Sequence, residues 1–386
     1  MSDNPARVYL DYAASAPVSA EVAEAMRAAA ENAAFNPSSL HAEGRRARAL
    51  LDSARDSVAA SLGARRSEIT FTGSGTEADH LALTGVIRAA GWKGRVVASA
   101  VEHHAVLRSL DELREVGCDV AILPVDRDGR VDPDRFSAAL RDDTAIASVM
   151  YANNEIGTVQ PIAELAAIAR ARGVLFHTDA VQAAAWLPID TGTLGVDLLS
   201  LSAHKLHGPK GAGVLFVRTG TPIAAAVPGG GQEFGRRSGT ENLAGIAGMA
   251  AALERAAAGR AGNGARVAGL RDRLERGIVD SIPGVRINGA GAERLPAIVS
   301  ATFSGVDSES LLARLDLAGI AVSAGSACTS GTLEPSHVIR ALGGNTSDAT
   351  IRFSLGAPTT RAEIDRVTVI LPPIVESLRR TSPAPA

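Results

Sequence analysis

Only two of the 386 residues are cysteine. Cys118 and Cys328 lie far apart, in neither a C-x-x-C pair nor a zinc-ligand spacing, which excludes a disulfide framework and gives no sign of a structural metal. An excess of one charge is missing too: 39 Lys and Arg stand against 42 Asp and Glu, for a formal charge of -3, and long basic runs are absent. Nothing in that balance attracts nucleic acid or anionic membranes in general. No apolar run approaches the roughly 20 residues that span a bilayer, and Met1 to Tyr12 has no apolar signal core. The expectation is a cytoplasmic protein with neither nucleic acid nor membrane as partner. There is no internal repeat.

What is present is a large apolar fraction, 46% of residues, in a chain long enough for two or more domains. From Ile69 onward, short apolar runs alternate with helical patterns. Strands are expected at 69–71, 95–99, 120–123, 144–150, 174–177, 196–201 and 214–217, with helices at 77–90, 106–116 and 161–172 between them. Such alternation predicts an α/β fold with a doubly wound, mostly parallel sheet. The helical run 243–258 is followed by Gly259-Arg260-Ala261-Gly262-Asn263-Gly264, read as a glycine-rich break at a domain boundary. On that reading residues 16–258 form a large domain. Residues 1–15 and 259–386 form a smaller α+β domain, whose last helix is kinked or interrupted at Pro372-Pro373.

The stretch Ser202-Ala203-His204-Lys205-Leu206-His207-Gly208 falls between two buried strands, so Lys205 sits where a core ends. An amine at an apolar rim has its pKa lowered from about 10.4, and a neutral amine forms Schiff bases. That points to pyridoxal phosphate chemistry, against the alternative of a lysine whose stem lies on apolar surface with its charge in water.

In an open α/β sheet ligands gather beyond the carboxyl ends of the strands. After strand 69–71 comes Thr72-Gly73-Ser74-Gly75-Thr76-Glu77, either a phosphate-binding helix start or an ordinary turn with Thr76 as cap. After 95–99 come His103 and His104, able to stack on a flat cofactor or move protons, or a plain surface pair. After 144–150 come Asn153 and Asn154. Following 174–177 is Asp179, an acid at the end of an apolar strand, costly unless paired. A protonated pyridine nitrogen is one such partner, a helix-cap role the alternative. Ser202, His204 and Arg236 to Thr240 could also serve a phosphate. Arg352 offers a fork for a substrate carboxylate, or a structural ion pair. Cys328 lies among small residues with no positive neighbour in sequence to favour its thiolate, whereas Cys118 reads as structural.

Taken together, these residues resemble the cysteine desulfurases of the NifS/IscS type, pyridoxal phosphate enzymes of fold type I, the aspartate aminotransferase-like fold. The landmarks run almost end to end: Tyr9-Leu10-Asp11-Tyr12-Ala13-Ala14, Gly75-Thr76-Glu77, Glu102-His103, Asn153 to Gly157, Asp179-Ala180-Val181-Gln182, Ser202-Ala203-His204-Lys205, Gly229 to Glu233, Arg237-Ser238-Gly239-Thr240 and Ser326-Ala327-Cys328-Thr329-Ser330. The resemblance implies that Lys205 carries pyridoxal 5'-phosphate covalently, Asp179 pairs with the ring nitrogen and His103 stacks on the ring. It places Gln182 and Asn154 near the ring hydroxyl and substrate, and Gly75, Thr76, Ser202 and His204 at the phosphate. Thr240 then reaches the phosphate from the other subunit of a homodimer, and Arg352 binds the cysteine carboxylate, assisted by Asn36.

The implied reaction turns L-cysteine into L-alanine and a Cys328 persulfide, with His103 as proton carrier at the substrate thiol. The length of the segment from Cys328 to His337 resembles that of members that hand sulfur to an Fe-S scaffold or carrier protein, or to tRNA thiolation, and Cys328 could touch a cluster held by such a partner. The rivals are selenocysteine lyase or cysteine sulfinate desulfinase, and a non-catalytic scaffold on the same fold. His80, His104 and Ser15-Ala16 depart from the residues usual in the family.

Overall fold

The structure is a computed structural model that describes residues 7–324, 336–345 and 347–381. Its strands are β1 Val8–Tyr9, β2 Ile69–Thr72, β3 Arg95–Ser99, β4 Asp119–Leu123, β5 Thr144–Ser148, β6 Leu175–Asp179, β7 Leu198–Ser202, β8 Gly213–Val217, β9 Val285–Ile287, β10 Ile298–Phe303, β11 Ile320–Ala321 and β12 Ala349–Ser354. Seven of them form one sheet in the order β2-β8-β7-β6-β5-β3-β4. Strand β8 runs antiparallel to both its neighbours, and every other pairing is parallel. Successive side chains of a strand point to opposite faces, and here both faces are covered. In β8, Val214 and Phe216 join one core while Leu215 and Val217 join another. That is why these strands read as unbroken apolar runs.

The helices that cover the sheet include α1 Ala20–Asn32, α2 Ala42–Ser61, α3 Gly75–Ala89, α4 His104–Glu115, α5 Pro133–Ala139, α6 Ile162–Ala171 and the short α7 Thr191–Leu194. Helix α8 then runs unbroken from Leu243 to Ser281. The expected break at 259–264 is therefore corrected: these residues are helical. Each glycine costs roughly 1 kcal/mol in a helix interior. Burial on both sides offsets that cost, since Met249 and Leu253 enter the large core while Val267, Leu270 and Leu274 enter a second one. One helix thus passes from one core to the other.

The second core is closed by α9 Ser308–Leu317 and α11 Arg361–Thr381, packed with the antiparallel sheet β12-β10-β9 and the parallel pair β1-β11. A short helix, α10 His337–Ala341, lies between them in sequence. Helix α11 is assigned as one helix through Pro372 and Pro373, where an interruption or kink was expected. Leu371 and Val375 on either side are buried in the second core and hold the segment in place. The N-terminal strand β1 belongs to this second core through Val8.

Candidate active site

A cavity of about 340 Å³ opens at the carboxyl ends of β2, β5, β6 and β7, where the second core meets the large sheet. It gathers Gly75, Thr76, His103, Asn154, Asp179, Gln182, Ser202, His204, Lys205 and Arg352 from loops far apart in sequence. The position follows from the topology, because the turn after each parallel strand points to one end of the sheet. A neighbouring cavity of about 400 Å³ shares Ala13, Gln182 and Lys205 with it but is lined by no carboxylate.

Helix α3 starts at the floor. Ser74 is its N-cap, accepting from Glu77 N at 3.1 Å, so the cap is Ser74 rather than Thr76 and Thr76 remains on the first turn. Gly75 is required by packing: a Cβ there would stand 2.8 Å from Val181 Cγ2 and 3.3 Å from Ser202 Cβ. A helix start with unpaired N-H groups, an exposed threonine and Ser202 and His204 alongside suits an anion. His204 lies 3.4 Å from Ser15 Oγ, and burial followed by the charge of Lys205 lowers its pKa to about 4.

Asp179 ends β6 instead of following it, and is buried. Its Oδ1 accepts from Val181 N at 2.8 Å. Burial pushes its pKa up to about 6, against the pull of Val181 N-H and of Lys205. A carboxylate held this way gains most from a cation brought into the cavity. Behind it, His177 bonds Ser148 Oγ at 2.8 Å and Ser200 Oγ at 3.0 Å, and burial drives its pKa to about 3. Asp79, fully buried and 3.6 Å from His177 Nε2, has its pKa raised by burial and then by the charge of Asp179. Gln182 Oε1 is buried without a hydrogen-bond partner.

His103 caps α4: its Nδ1 accepts from Ala105 N at 3.1 Å. The ring is therefore the neutral tautomer with its hydrogen on Nε2. Burial, then the charge of Lys205, lowers its pKa to about 4. His104 and His337 line the same cavity with ring centroids 4.7 Å apart, and His337 donates from Nε2 to Glu102 O at 2.9 Å. Among the described residues no group of three or more His, Cys, Asp or Glu is placed to hold a metal ion.

Lys205 donates to the carbonyls of Ala13 and Ala14, the second at 2.9 Å. Arg352 lies in the middle of β12 and is fully buried. It pairs with Asp11 Oδ1 at 2.9 Å and donates to Asn154 O at 3.0 Å. The residues present fit pyridoxal 5'-phosphate: a cradle too close for any Cβ at Gly75, an unpartnered amide oxygen at Gln182, a buried acid at the end of β6 and a lysine at the rim.

Two of the expected residues lie elsewhere. Asn36 is exposed in a turn, its Oδ1 accepting from Ser38 N, and Thr240 is exposed as well; neither lines this chain's cavity. Cys328 falls outside the described residues. Cys118 is buried in the core beneath α3 and α4. His80 bonds Ser109 on α4 and is not among the cavity residues. Sequence reasoning passed over Asp11, Ala13, Ala14, Asp79 and Glu102 as working parts. The signal for Asp11 was its place inside the motif Tyr9 to Ala14.

The sequence profile described as aminotransferase class-V matches residues 8–367. The chain is 46% identical over 379 residues to a protein named cysteine desulfurase IscS from Dictyoglomus turgidum (strain DSM 6724 / Z-1310), covering 97% of this chain and 96% of that one. Among solved structures, one titled NifS-like protein superposes with a TM-score of 0.90 at 34% identity, over 96% of this chain and 100% of the other. Another, titled SspA in complex with cysteine, superposes with a TM-score of 0.80 at 32% identity, over 92% and 100%.

Proposed function

The chain belongs to the aminotransferase class-V family and, within it, to the cysteine desulfurases of the NifS/IscS type, and we propose that it takes the sulfur of L-cysteine onto Cys328 and releases L-alanine. The observation that carries the reading is the convergence of Lys205, Asp179, His103 and Arg352 on one cavity. In this reading pyridoxal 5'-phosphate is the cofactor. Lys205 holds it covalently, Asp179 pairs with its ring nitrogen and His103 lies against the ring. Gln182 and Asn154 serve its hydroxyl and the substrate, and Gly75, Thr76, Ser202 and His204 take the phosphate. Thr240 completes the phosphate site of a second copy, which makes the working unit a homodimer.

When bound, the cofactor supplies an electron sink for the substrate α-carbon. The chain's own residues supply everything else. Arg352 fixes the substrate carboxylate through its fork; Asn36, outside this chain's cavity, would have to assist from a second copy. Lys205, once its amine is released, carries the α-proton. His103, neutral at physiological pH, presents an uncharged ring and an Nε2-H donor; to carry a proton at the substrate thiol it must first give up its bond to Ala105 N. The Cys328 thiolate attacks the substrate sulfur, the Cβ-S bond breaks, and Cβ takes a proton to give alanine. The persulfide left on Cys328 passes its outer sulfur to an acceptor, an Fe-S scaffold or a carrier protein, in a cytoplasmic setting.

Alanine release by the purified chain from L-cysteine, L-selenocysteine and L-cysteine sulfinate, compared at equal concentration, tests the assignment. Fastest turnover of cysteine, lost in Cys328→Ser, is expected. Equal turnover by Cys328→Ser with selenocysteine or sulfinate preferred contradicts it.

A further inference from the structure

Asp79 is a buried acid on α3 that lines the cavity and takes no step in the reaction proposed above. It lies against β6, where His177 and Asp179, two residues apart, present their side chains to one face of the sheet. The register completes a layer on that face: Ser148 of β5 pairs with His177, and Ser200 of β7 pairs with Asp179. His177 Nδ1 meets Ser148 Oγ at 2.8 Å, and its Nε2 meets Ser200 Oγ at 3.0 Å. Ser200 is within reach of the Asp79 carboxyl as well, so one hydroxyl joins the histidine to the acid. Ser148, His177 and Ser200 are fully buried and do not line the cavity, which keeps this layer beyond the reach of a bound cofactor.

Among the described residues no lysine or arginine pairs with Asp79. The titratable groups facing it are His177 and Asp179 from β6 and Glu102 from the turn before α4. Asp79 Oδ1 lies 3.6 Å from His177 Nε2 and has no hydrogen-bond partner. With the cofactor in place, Asp179 is the anion held by the ring nitrogen. A charge on Asp79 would then be a second one on the same buried face, and two neighbouring buried carboxyls do not both ionise.

We propose that Asp79 is a positioning residue that stays a neutral carboxylic acid in the working site, its hydrogen bond taken by the chain Ser200-His177-Ser148, so that the negative charge at the ring nitrogen is that of Asp179 alone. The inference rests on the reading of pyridoxal 5'-phosphate as the cofactor and Asp179 as its partner. The chain closes in one direction: Asp79 O-H donates to Ser200 Oγ, Ser200 O-H to His177 Nε2, and His177 Nδ1-H to Ser148 Oγ. Both ring nitrogens are then satisfied with the imidazole uncharged, as its burial requires. Burial, and after it the charge of Asp179, keeps the proton on Asp79.

The test is infrared absorption of the cofactor-loaded protein in heavy water, where a protonated buried carboxyl shows its own carbonyl stretch. At neutral pH the difference between the unaltered protein and Asp79→Asn should contain one such band, and Glu102→Gln measured alongside should remove a different one. Ser200→Ala should keep the Asp79 band but move it to higher frequency, because the acceptor of its hydrogen bond is gone. In a second arm, Asp79→Asn replaces a neutral acid with a neutral amide. The pH midpoint of the absorption of lysine-bound cofactor should therefore stay within about half a unit of the unaltered value.

A difference spectrum with no carboxyl band overturns the proposal and leaves the cofactor reading standing. An ionised Asp79 sharing the ring's cation would also lower the midpoint in Asp79→Asn by about one to three units, whereas an ion pair with His177 would leave it unmoved. A lowered midpoint, or a band unshifted in Ser200→Ala, likewise counts against the neutral acid and its chain. Protein that takes up no pyridoxal 5'-phosphate contradicts the cofactor reading itself and the proposal with it.

Discussion

Nδ1 of His103 accepts the backbone N-H of Ala105, the first turn of α4, at 3.1 Å. Burial, then the nearby charge of Lys205, keeps the ring neutral with its pKa near 4, and the bond leaves Nε2 to carry the hydrogen, so its role is a flat uncharged face and one donor. His103→Phe keeps the face and should retain most bound cofactor, while His103→Ala should lose it measurably. Cofactor content by absorbance after gel filtration checks this. Equal retention by both variants contradicts a stacking role.

Lys205→Ala removes the only amine at the cavity wall among the described residues. Alanine release should fall by at least about 100-fold, the scale of a lost proton carrier. The absorption band of lysine-bound cofactor should vanish, and sodium borohydride should then fix no cofactor to the peptide containing residue 205.

Arg352→Lys exchanges a fork for a point charge. The loss of about 1.5–3 kcal/mol in charged hydrogen bonds corresponds to a rise in KM for L-cysteine of about tenfold to a hundredfold. Cofactor content should be unchanged. A variant that loses cofactor but binds cysteine normally would place Arg352 in the wrong role.

Buried acids give the cofactor-free protein a defined pH response. Burial raises Glu102 to about 8, although Ser99 and Met150 N donate to it, and raises Asp179 to about 6. A folded pKa above the unfolded one of about 4 means a contribution fully present below pH 4 and lost as pH rises through the folded value. Glu102→Gln should therefore flatten the loss of stability between about pH 4 and 8, and Asp179→Asn that between about pH 4 and 6. Urea unfolding across this range measures both slopes, and unchanged slopes contradict the burial argument.

Much of the fold is legible in the sequence because burial on both faces leaves an unbroken apolar run. Strand β3 begins and ends where Arg95 to Ser99 predicts, and the glycines after α3 and α4 mark their ends. The break expected at Gly259 to Gly264 fails for the converse reason. Helix α8 is held by side chains on either flank, and long-range packing overrides local propensity. The lysine, the acid at the end of β6 and the loop opening α3 stand out because each breaks an apolar pattern. Asp11 does not, since its meaning lies in a contact with Arg352, 341 residues away. The same holds for Ala13 and Ala14, which act through their backbone.

The central claim is that sulfur leaves cysteine by way of Cys328. The direct measurement is the intact mass of the peptide carrying Cys328 after one turnover with L-cysteine, before and after reduction, with alanine quantified in the same sample. The account predicts the added mass of one sulfur atom on Cys328, removed by reductant, in proportion to alanine formed, and neither in Cys328→Ser. Alanine formed at an undiminished rate by Cys328→Ser, with no sulfur ever found on Cys328 of the unaltered chain, would contradict it.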